Sequence, residues 1–266
     1  MKTRIITAIV GLAVFLPFVI YGKLPFELLS MLLAAIALYE ILVMTKQSLF
    51  SVNGIITLVL TLSIAAPTRF LEWLEEYSIR QMEITFVCMA LLLSYTVFSK
   101  NRYHFDQVGI GILAAFYTGF GFHYLAETRN EGLEYVIFAL LIVWVTDTMA
   151  YFVGRALGKH KLAPNVSPNK TVEGFVGGIV FAVLIAGGYY LYIGLDGNPI
   201  VIALLVVILS IFGQLGDLVE SALKRYYGVK DSGKLLPGHG GVLDRFDNLL
   251  FVLPLLLPLL HILQIL

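Results

Sequence analysis

The sequence has little charge for its length. Only 14% of its 266 residues are Asp, Glu, Lys or Arg, against the roughly 25% that is usual in soluble domains. Hydrophobic residues make up 59% of the chain, and its mean hydropathy is +0.87. Because so little polar surface could not cover a water-soluble globule of this length, we expect a polytopic membrane protein.

Other absences narrow the function. The single cysteine, Cys88, excludes an internal disulfide and a cysteine metal cluster. The five histidines are scattered along the chain without the spacing of a zinc site. Eighteen basic and eighteen acidic residues cancel, so the net charge predicts no nucleic acid as a partner.

Apolar stretches recur along the chain, each near the ~20 residues of a transmembrane helix. They lie near residues 5–22, 24–45, 52–67, 84–98, 108–126, 135–153, 175–195, 200–218 and 246–265. We therefore predict an all-α fold with about nine transmembrane helices, and eight or ten as alternatives. The acidic segment 68–83 is a candidate interfacial helix.

Lysine and arginine predict the orientation. With a cytoplasmic N-terminus, 14 of the 18 basic residues lie in segments facing the cytoplasm and four lie outside. We therefore expect a cytoplasmic N-terminus and a C-terminus outside. Two long inner connections, 154–174 and 219–245, are rich in glycine, proline and ionisable groups. Since binding and catalysis concentrate on such loops, we expect any chemistry to face the cytoplasm.

Four aspartates lie within or at the ends of spans, where charge is costly and commonly functional. Asp147 lies within the sixth span and Asp217 where the eighth emerges, while Asp244 and Asp247 begin the ninth. If that span is helical from about residue 243, its two aspartates share one face. Together with Asp217 they would form a three-carboxylate cluster, and oxygen ligands of this kind suit Mg²⁺.

A structural role for the last two aspartates is the alternative. They would then favour a helix N-terminus, or pair with Arg245 or Lys224. Glu40 lies near the inner end of the second span with Lys46 nearby, and we interpret it as structural.

The first inner connection reads GRALGKHKLAPNVSPNKTVEG from Gly154. Its cations, glycines and hydroxyl groups suit a polyphosphate, which needs many donors at once. The basic and hydroxyl residues are Arg155, Lys159, Lys161, Ser167, Lys170 and Thr171. Attraction to anionic lipid headgroups would explain the same charges without catalysis. Thr171 is also expected to precede a helix, with Glu173 in its first turn.

The second inner connection reads SALKRYYGVKDSGKLLPGHGGVLDRFD, from Ser221 to Asp247. Within 27 residues it holds cations, a histidine and carboxylates of the kind that bind metals. Glycines around His239 allow a ligand to approach the backbone closely. This combination predicts a phosphoryl- or nucleotidyl-transfer site.

At this stretch the sequence resembles the phosphatidate cytidylyltransferases, also called CDP-diacylglycerol synthases. Their signature is a serine, Lys-Arg, Lys-Asp after a four-residue gap, His-Gly-Gly and Asp-Arg-x-Asp. The matching residues are Ser221, Lys224, Arg225, Lys230, Asp231, His239, Gly240, Gly241, Asp244, Arg245 and Asp247. The resemblance is dense from about Trp144 to Leu250. We therefore divide the chain into two parts. Residues 1–107 form N-terminal helices that resemble the family only in being hydrophobic, and residues 108–266 form the catalytic part.

The resemblance implies an integral membrane homodimer and a Mg²⁺-dependent reaction. CTP and phosphatidic acid would give CDP-diacylglycerol and pyrophosphate. A second cation such as K⁺ is an optional addition to the Mg²⁺ ion. The implied metal ligands are Asp217, Asp244 and Asp247. The other implied catalytic residues are Lys224, Arg225, Lys230, Asp231, His239 and Arg245. The implied nucleotide-binding residues are Asp147, Tyr151, Arg155, Lys159, Ser167, Lys170, Thr171 and Glu173.

Three other functions are alternatives to this interpretation. Activation of a polyprenyl or dolichyl phosphate stays open, since no residue is identified that reads the acyl chains. A CDP-alcohol phosphatidyltransferase is disfavoured because its D-x₂-D-G-x₂-A-R motif is missing from the sequence. A cation-coupled transporter using Asp147 and Asp217 is disfavoured by the absence of inverted repeats. The compact length favours a bacterial inner membrane, where soluble CTP would meet a lipid substrate.

Overall fold

The computed structural model of the chain describes residues 2–100, 102–194 and 197–264. Helices dominate it, which confirms the all-α membrane fold. The chain packs as two compact units. The first comprises Met1–Asn130 and Val229–Arg245, and the second comprises Glu131–Gly228 and Phe246–Leu266.

The first unit contains the N-terminal helices. They are α1 (Lys2–Tyr21), α2 (Lys23–Met44), α3 (Val52–Ala65), α4 (Thr68–Glu76), α5 (Gln81–Phe98) and α6 (Phe105–Glu131), whose last residue already belongs to the second unit. Helix α3 packs between α2 and α5. It begins at Ser51, whose hydroxyl accepts a hydrogen bond from the Gly54 N–H at 3.2 Å. Such a cap satisfies a backbone donor that has no partner within the helix.

The acidic segment after α3 forms the helix that the sequence suggested. Helices α3 and α4 meet at a bend of 103°. The bend falls at Pro67, which lacks the backbone N–H that would continue α3. Arg69 of α4 forms an ion pair with the buried Glu27 of α2, which joins the two helices. The position of α4 at a membrane interface stays a prediction.

The second unit holds α7 (Leu133–Leu157), strands β1 (Lys161–Ala163) and β2 (Ser167–Thr171), α8 (Val172–Tyr192) and α9 (Pro199–Tyr226). The last helix of the second unit is α11 (Leu249–Ile262). The short helix α10 (Leu243–Phe246) precedes it in the chain, and the first three residues of α10 belong to the first unit. Helices α7 and α8 pack closely because α8 has glycines in the interface. A Cβ atom on Gly174 would lie 2.6 Å from the Ala150 carbonyl oxygen, and one on Gly178 would lie 2.6 Å from that of Thr146. These contacts allow the two helix backbones to approach closely.

Six described helices are long and apolar enough to cross a membrane, or seven if the bent pair α3 and α4 counts as one span. Two shorter apolar helices, Ile9–Tyr21 and Leu249–Ile262, lie where the first and ninth spans were predicted. The count of nine spans and the sides of the termini therefore stay predictions.

The inner connections are more ordered than the sequence suggested. In 154–174, α7 continues to Leu157, and β1 and β2 then form an antiparallel hairpin. In 219–245, α9 continues to Tyr226 and is followed by Gly228, whose φ is 68°. Lys224 and Arg225 thus lie in the last turn of a helix, where the negative end of the helix dipole stabilises basic side chains. In both α7 and α9 the helix therefore continues for several residues after the apolar stretch has ended.

The predicted ninth helix is broken at its start. Helix α10 ends at Phe246 and α11 begins at Leu249. Asp244 therefore lies on α10, and Asp247 lies in the break. The condition for a shared helical face, a continuous helix from residue 243, is therefore not met.

Candidate active site

Three aspartates of the second unit form one cluster. Asp147 lies on α7, Asp217 on α9 and Asp247 in the break before α11, and each is close enough to the others to repel them electrostatically. The Asn248 side chain donates from Nδ2 to Asp147 Oδ2 at 2.6 Å. The Asn248 backbone N–H donates to Asp247 Oδ1 at 2.9 Å. Asn248 therefore holds two of the carboxylates in place.

Lys170 supplies the neighbouring positive charge. It lies on β2, and its Nζ is 2.5 Å from Asp217 Oδ2. Ser221, one turn further along α9, donates from its hydroxyl to Asp217 Oδ1 at 3.2 Å. The Lys170 and Asp217 side chains are 25% and 28% exposed, and both residues line one cavity, although the Lys170 Nζ atom itself is buried against Asp217.

Asp247 is the aspartate of the cluster that lies outside the apolar helices. Burial, and then repulsion from Asp217, raise the pKa of Asp247 above its usual value. A carboxyl group in such surroundings favours its neutral form, because neither water nor an adequate positive charge stabilises the anion. A bound divalent cation would reverse that preference.

A cavity of about 500 Å³ opens beside Asp147 and Asp217. Its wall is formed by Asp147, Ala150, Tyr151, Gly154, Arg155, Leu162, Asn169, Lys170, Thr171, Gly174, Phe175, Gln214 and Asp217. Arg155 Nη1 donates to the Tyr151 hydroxyl at 3.2 Å. The volume lies in the roughly 300–1,000 Å³ range of small-molecule pockets, and Lys170 adds a second cation to its wall. The cavity can therefore accept a phosphorylated ligand of nucleotide size.

The hairpin and the start of α8 form one side of this cavity. Thr171 Oγ1 accepts a hydrogen bond from the Gly174 N–H at 3.1 Å, which confirms the predicted helix start. Glu173 Oε2 accepts from the Lys159 N–H at 3.0 Å, and Glu173 Oε1 lies 2.6 Å from His160 Nδ1. Glu173 therefore ties the entrance of the hairpin to α8. Ser167 begins β2 and is half-buried.

The cations at the end of α9 are held by their own neighbours. Lys224 Nζ donates to Glu220 Oε2 at 2.5 Å, and the Glu220 side chain is only 1% exposed. Arg225 Nε donates to the carbonyl oxygen of Val166, in the hairpin turn, at 3.4 Å. Lys224 therefore pairs with a glutamate four residues earlier on the same helix, and its charge also favours the anionic form of Asp247.

The first unit contains the remaining signature residues, in the segment 229–245. The Leu236 N–H donates to the Gly240 carbonyl oxygen at 2.9 Å, and the His239 N–H donates to that of Leu236 at 2.8 Å. Gly238 and Gly240 have φ angles of 79° and 84°, a region that residues with a side chain rarely adopt. These two glycines therefore allow the tight turn that carries His239.

A second cavity, of about 430 Å³, lies along this segment. Its wall includes the predicted residues Lys230, Asp231, His239 and Arg245. Lys234, which the sequence reasoning did not single out, adds a further cation. Three basic side chains on one small cavity favour an anionic group such as a phosphate.

The described residues hold no group of three His, Cys, Asp or Glu side chains already arranged for a metal. Mg²⁺ does not require such a group, since it commonly takes one or two carboxylates and completes its shell with phosphates and water. The carboxylates at positions 147, 217 and 247 offer only oxygen donors, which fits this ion. The predicted trio of Asp217, Asp244 and Asp247 stays a prediction, because the first unit contains Asp244 and the second contains the other two.

Sequence reasoning missed three polar residues that hold the candidate site. Asn248 follows the Asp-Arg-x-Asp motif directly, and Glu220 lies four residues before Lys224. The spacing of the latter pair is a helical signal that was available. Glu40 was interpreted as structural, yet its carboxylate accepts hydrogen bonds from the segment 229–245. Nothing in the sequence connects residues separated by about 200 positions.

Comparison with known proteins gives a consistent result. The profile of the cytidylyltransferase family matches residues 2–263. The phosphatidate cytidylyltransferase of Bacillus subtilis (strain 168) is 51% identical over 263 residues, which cover 98% of this chain and 97% of the relative. The proteins of the same name from Staphylococcus saprophyticus and Staphylococcus epidermidis are 49% and 48% identical, with 96% of this chain and 97% of each relative covered. The similarity thus extends over the N-terminal helices and is wider than the expected stretch from Trp144 to Leu250.

Proposed function

Because the chain belongs to the cytidylyltransferase family, we propose that it transfers the cytidylyl group of CTP to phosphatidic acid. The products are CDP-diacylglycerol and pyrophosphate, and the protein is a membrane-embedded nucleotidyltransferase. The structural observation that carries this proposal is the carboxylate cluster of the second unit. It lies beside Lys170 at a cavity large enough for a nucleotide.

The proposed reaction forms one phosphorus–oxygen bond and breaks another. An anionic oxygen of the phosphatidic acid phosphate attacks the α-phosphorus of CTP. The bond from that phosphorus to the oxygen bridging to the β-phosphate then breaks, and its electron pair leaves with pyrophosphate. Because the attacking oxygen is already ionised, no general base is needed, and catalysis depends on positioning and charge neutralisation.

Magnesium is part of the proposal. Asp217 and Asp247 would hold the ion, with Asp147 beside them, and Asp244 is proposed as a further ligand on the resemblance alone. When bound, the ion supplies charge neutralisation and fixes the orientation of the phosphates. A second cation such as K⁺ is proposed on the resemblance alone.

Each of the two cavities has its own basic residues. In the second unit, Lys170 and Arg155 would contact the CTP phosphates from the wall of the larger cavity. In the first unit, Lys230, His239 and Arg245 would bind a phosphate in the smaller cavity. Lys224 and Arg225, in the last turn of α9, line neither cavity. On the resemblance, they would neutralise the α-phosphate and the departing pyrophosphate or bind the phosphate of phosphatidic acid.

The membrane setting completes the proposal. The excess of basic residues in the predicted inner segments supports a site that faces the cytoplasm. The bacterial source of the relatives supports a bacterial inner membrane. We also propose a homodimer, as the resemblance implies. Crosslinking of the protein in native membranes would test the dimer.

The function is tested by pyrophosphate release from purified protein in detergent. We expect release with CTP, Mg²⁺ and phosphatidic acid together, and none when either substrate is omitted. If pyrophosphate is released with CTP and a polyprenyl phosphate but not with phosphatidic acid, the protein is still a cytidylyltransferase, but its lipid substrate is different. No release with any of these acceptors, from protein shown to be folded, would contradict the proposal and favour the transporter alternative.

A further inference from the structure

Glu40 is a buried acid that binds the signature segment 229–245 to α2. It is only 3% exposed. Its Oε1 accepts a hydrogen bond from the Val242 N–H, and its Oε2 accepts one from the Leu243 N–H, both at 2.9 Å. These two N–H groups lie at the start of α10, where backbone donors have no partner within the helix. Glu40 therefore provides a cap for α10 from a distant part of the chain.

Ser232 connects Glu40 to Asp244. The Ser232 hydroxyl oxygen is 3.1 Å from Glu40 Oε2 and 2.8 Å from Asp244 Oδ2. Asp244 Oδ2 also accepts from the backbone N–H groups of Ser232 and Gly241, each at 2.8 Å. The same short segment thus lies between two carboxylates, one that anchors it and one that it orients.

Two glycines make room for the Glu40 carboxylate. A Cβ atom built on Gly233 or on Gly241 would overlap that carboxylate. Gly241 is the second glycine of the His-Gly-Gly motif, and its φ is not in the left-handed region. Its lack of a side chain is therefore explained by the close approach of Glu40 and not by backbone conformation.

Burying an apolar side chain at position 40 of α2 would cost less free energy than burying a carboxylate. A carboxylate taken out of water is unfavourable unless hydrogen bonds replace its hydration. Two backbone N–H groups do so for Glu40, and the Ser232 hydroxyl is shared between Glu40 and Asp244. Glu27 offers a comparison, because it lies on the same helix and is also 3% exposed. Its partners, Arg69 and Asn130, belong to no part of the signature segment.

We propose that Glu40 is a positioning residue for the reaction. It fixes the segment from Ser232 to Leu243, and so keeps the Asp244 carboxylate and the turn that carries His239 in the orientation that turnover requires. This inference rests on the proposed function. Glu40 itself contacts backbone and a serine, so its contribution acts through the segment that it holds.

Hydrogen exchange tests the anchoring without any substrate. In Glu40→Ala we expect the Val242 and Leu243 amides to exchange at least about tenfold faster, since a charge-assisted hydrogen bond to each is lost. Glu40→Gln keeps one acceptor oxygen and should show a smaller increase. Glu27→Gln is the matched control and should leave these amides unchanged. Unchanged exchange at both amides in Glu40→Ala would overturn the inference, as would an equal increase throughout α2.

Steady-state kinetics test the consequence for turnover. We expect kcat to fall at least about tenfold in Glu40→Ala and to recover partly in Glu40→Gln. The KM for CTP should stay within about threefold, since the nucleotide is assigned to the cavity of the second unit. Glu27→Gln should keep the kcat of the wild-type protein. A wild-type kcat in Glu40→Ala would overturn the inference. Wild-type protein without turnover would overturn the proposed function instead, and the exchange experiment would still decide whether Glu40 anchors the segment.

A double-mutant cycle separates this role from general packing. Gly241→Ala should lower kcat at least about tenfold, because the added methyl group displaces the Glu40 carboxylate. In the Glu40→Ala background the same change should cost much less, since the methyl group then has room. Equal losses in both backgrounds would contradict the proposed contact between Gly241 and Glu40.

Discussion

The Lys170 ammonium group lies 2.5 Å from Asp217 Oδ2 and joins strand β2 to helix α9 at the wall of the larger cavity. The hairpin brings the lysine there, and the unbroken α9 carries the aspartate to the same place. Both residues line the cavity. A bound phosphate can therefore replace Asp217 as the partner of Lys170, and a bound metal ion can replace Lys170 as the partner of Asp217. The pair is therefore the part of the site that we expect to rearrange most when substrate binds.

Replacing Lys170 tests its contact with the nucleotide. Lys170→Met should raise the KM for CTP about 10- to 100-fold, because charge-assisted hydrogen bonds contribute roughly 1.5–3 kcal/mol. Initial rates over a range of CTP concentrations would measure this. Lys161→Met is the control, since Lys161 is an exposed lysine on the adjacent strand that does not line the cavity. An unchanged KM in Lys170→Met would assign Lys170 to folding or topology alone.

Magnesium binding at the aspartate cluster predicts a stability effect that depends on two residues. A ligand at 100 times its dissociation constant stabilises a protein by about 2.7 kcal/mol. Mg²⁺ should therefore raise the unfolding temperature of the wild-type protein. In Asp217→Asn and Asp247→Asn it should raise that temperature little, and pyrophosphate release should be lost. Asp106→Asn, at an exposed acid of α6, should behave as wild type. A full Mg²⁺ effect in both cluster variants would place the ion elsewhere.

Asn248 should stabilise the fold through Asp147. Asn248→Leu removes the donor at 2.6 Å, and a buried acceptor without a partner costs roughly 1–3 kcal/mol. Thermal unfolding of the purified variant would show a lower midpoint than that of the wild-type protein. Adding Asp147→Leu should cost less than the sum of the two single changes, because no polar group is then left unpaired. Strict additivity would show that the two side chains do not interact.

The close packing of α7 and α8 predicts opposite effects for two glycines of α8. Gly178→Ala places a methyl group against the Thr146 carbonyl oxygen and should destabilise the protein by about 1–3 kcal/mol. A Cβ atom on Gly187 meets nothing within 4 Å. Gly187→Ala should therefore be neutral or stabilise by up to about 1 kcal/mol, through higher helix propensity. Unfolding in denaturant would compare the two variants, and equal stabilities would contradict the close approach at Gly178.

Much of the fold and part of the site follow from the sequence. Long apolar runs identify the helices, because a membrane requires continuous apolar surface and internally satisfied backbone groups. The helix start at Thr171 was also predicted, since a helix cap is a local feature. Charged residues near the ends of apolar runs identified Asp147 and Asp217 as site candidates. The cost of placing such groups there is itself a signal.

The rest depended on interactions that sequence order does not reveal. Hydrophobicity alone could not show that α9 continues to Tyr226, since its last turns are polar and still helical. It also could not reveal the break at Asp247. The bond between Glu40 and Leu243 spans 203 positions, so neither periodicity nor a motif could connect these residues.

The fate of each phosphate of CTP tests the central claim most directly. Purified protein would be incubated with Mg²⁺, phosphatidic acid and CTP labelled with ³²P in either the α- or the γ-phosphate. Cytidylyl transfer predicts that the α-label enters the lipid extract and that the γ-label stays in water as pyrophosphate. Entry of the γ-label into the lipid extract would indicate a lipid kinase, and label in the lipid from neither position would contradict the assigned reaction.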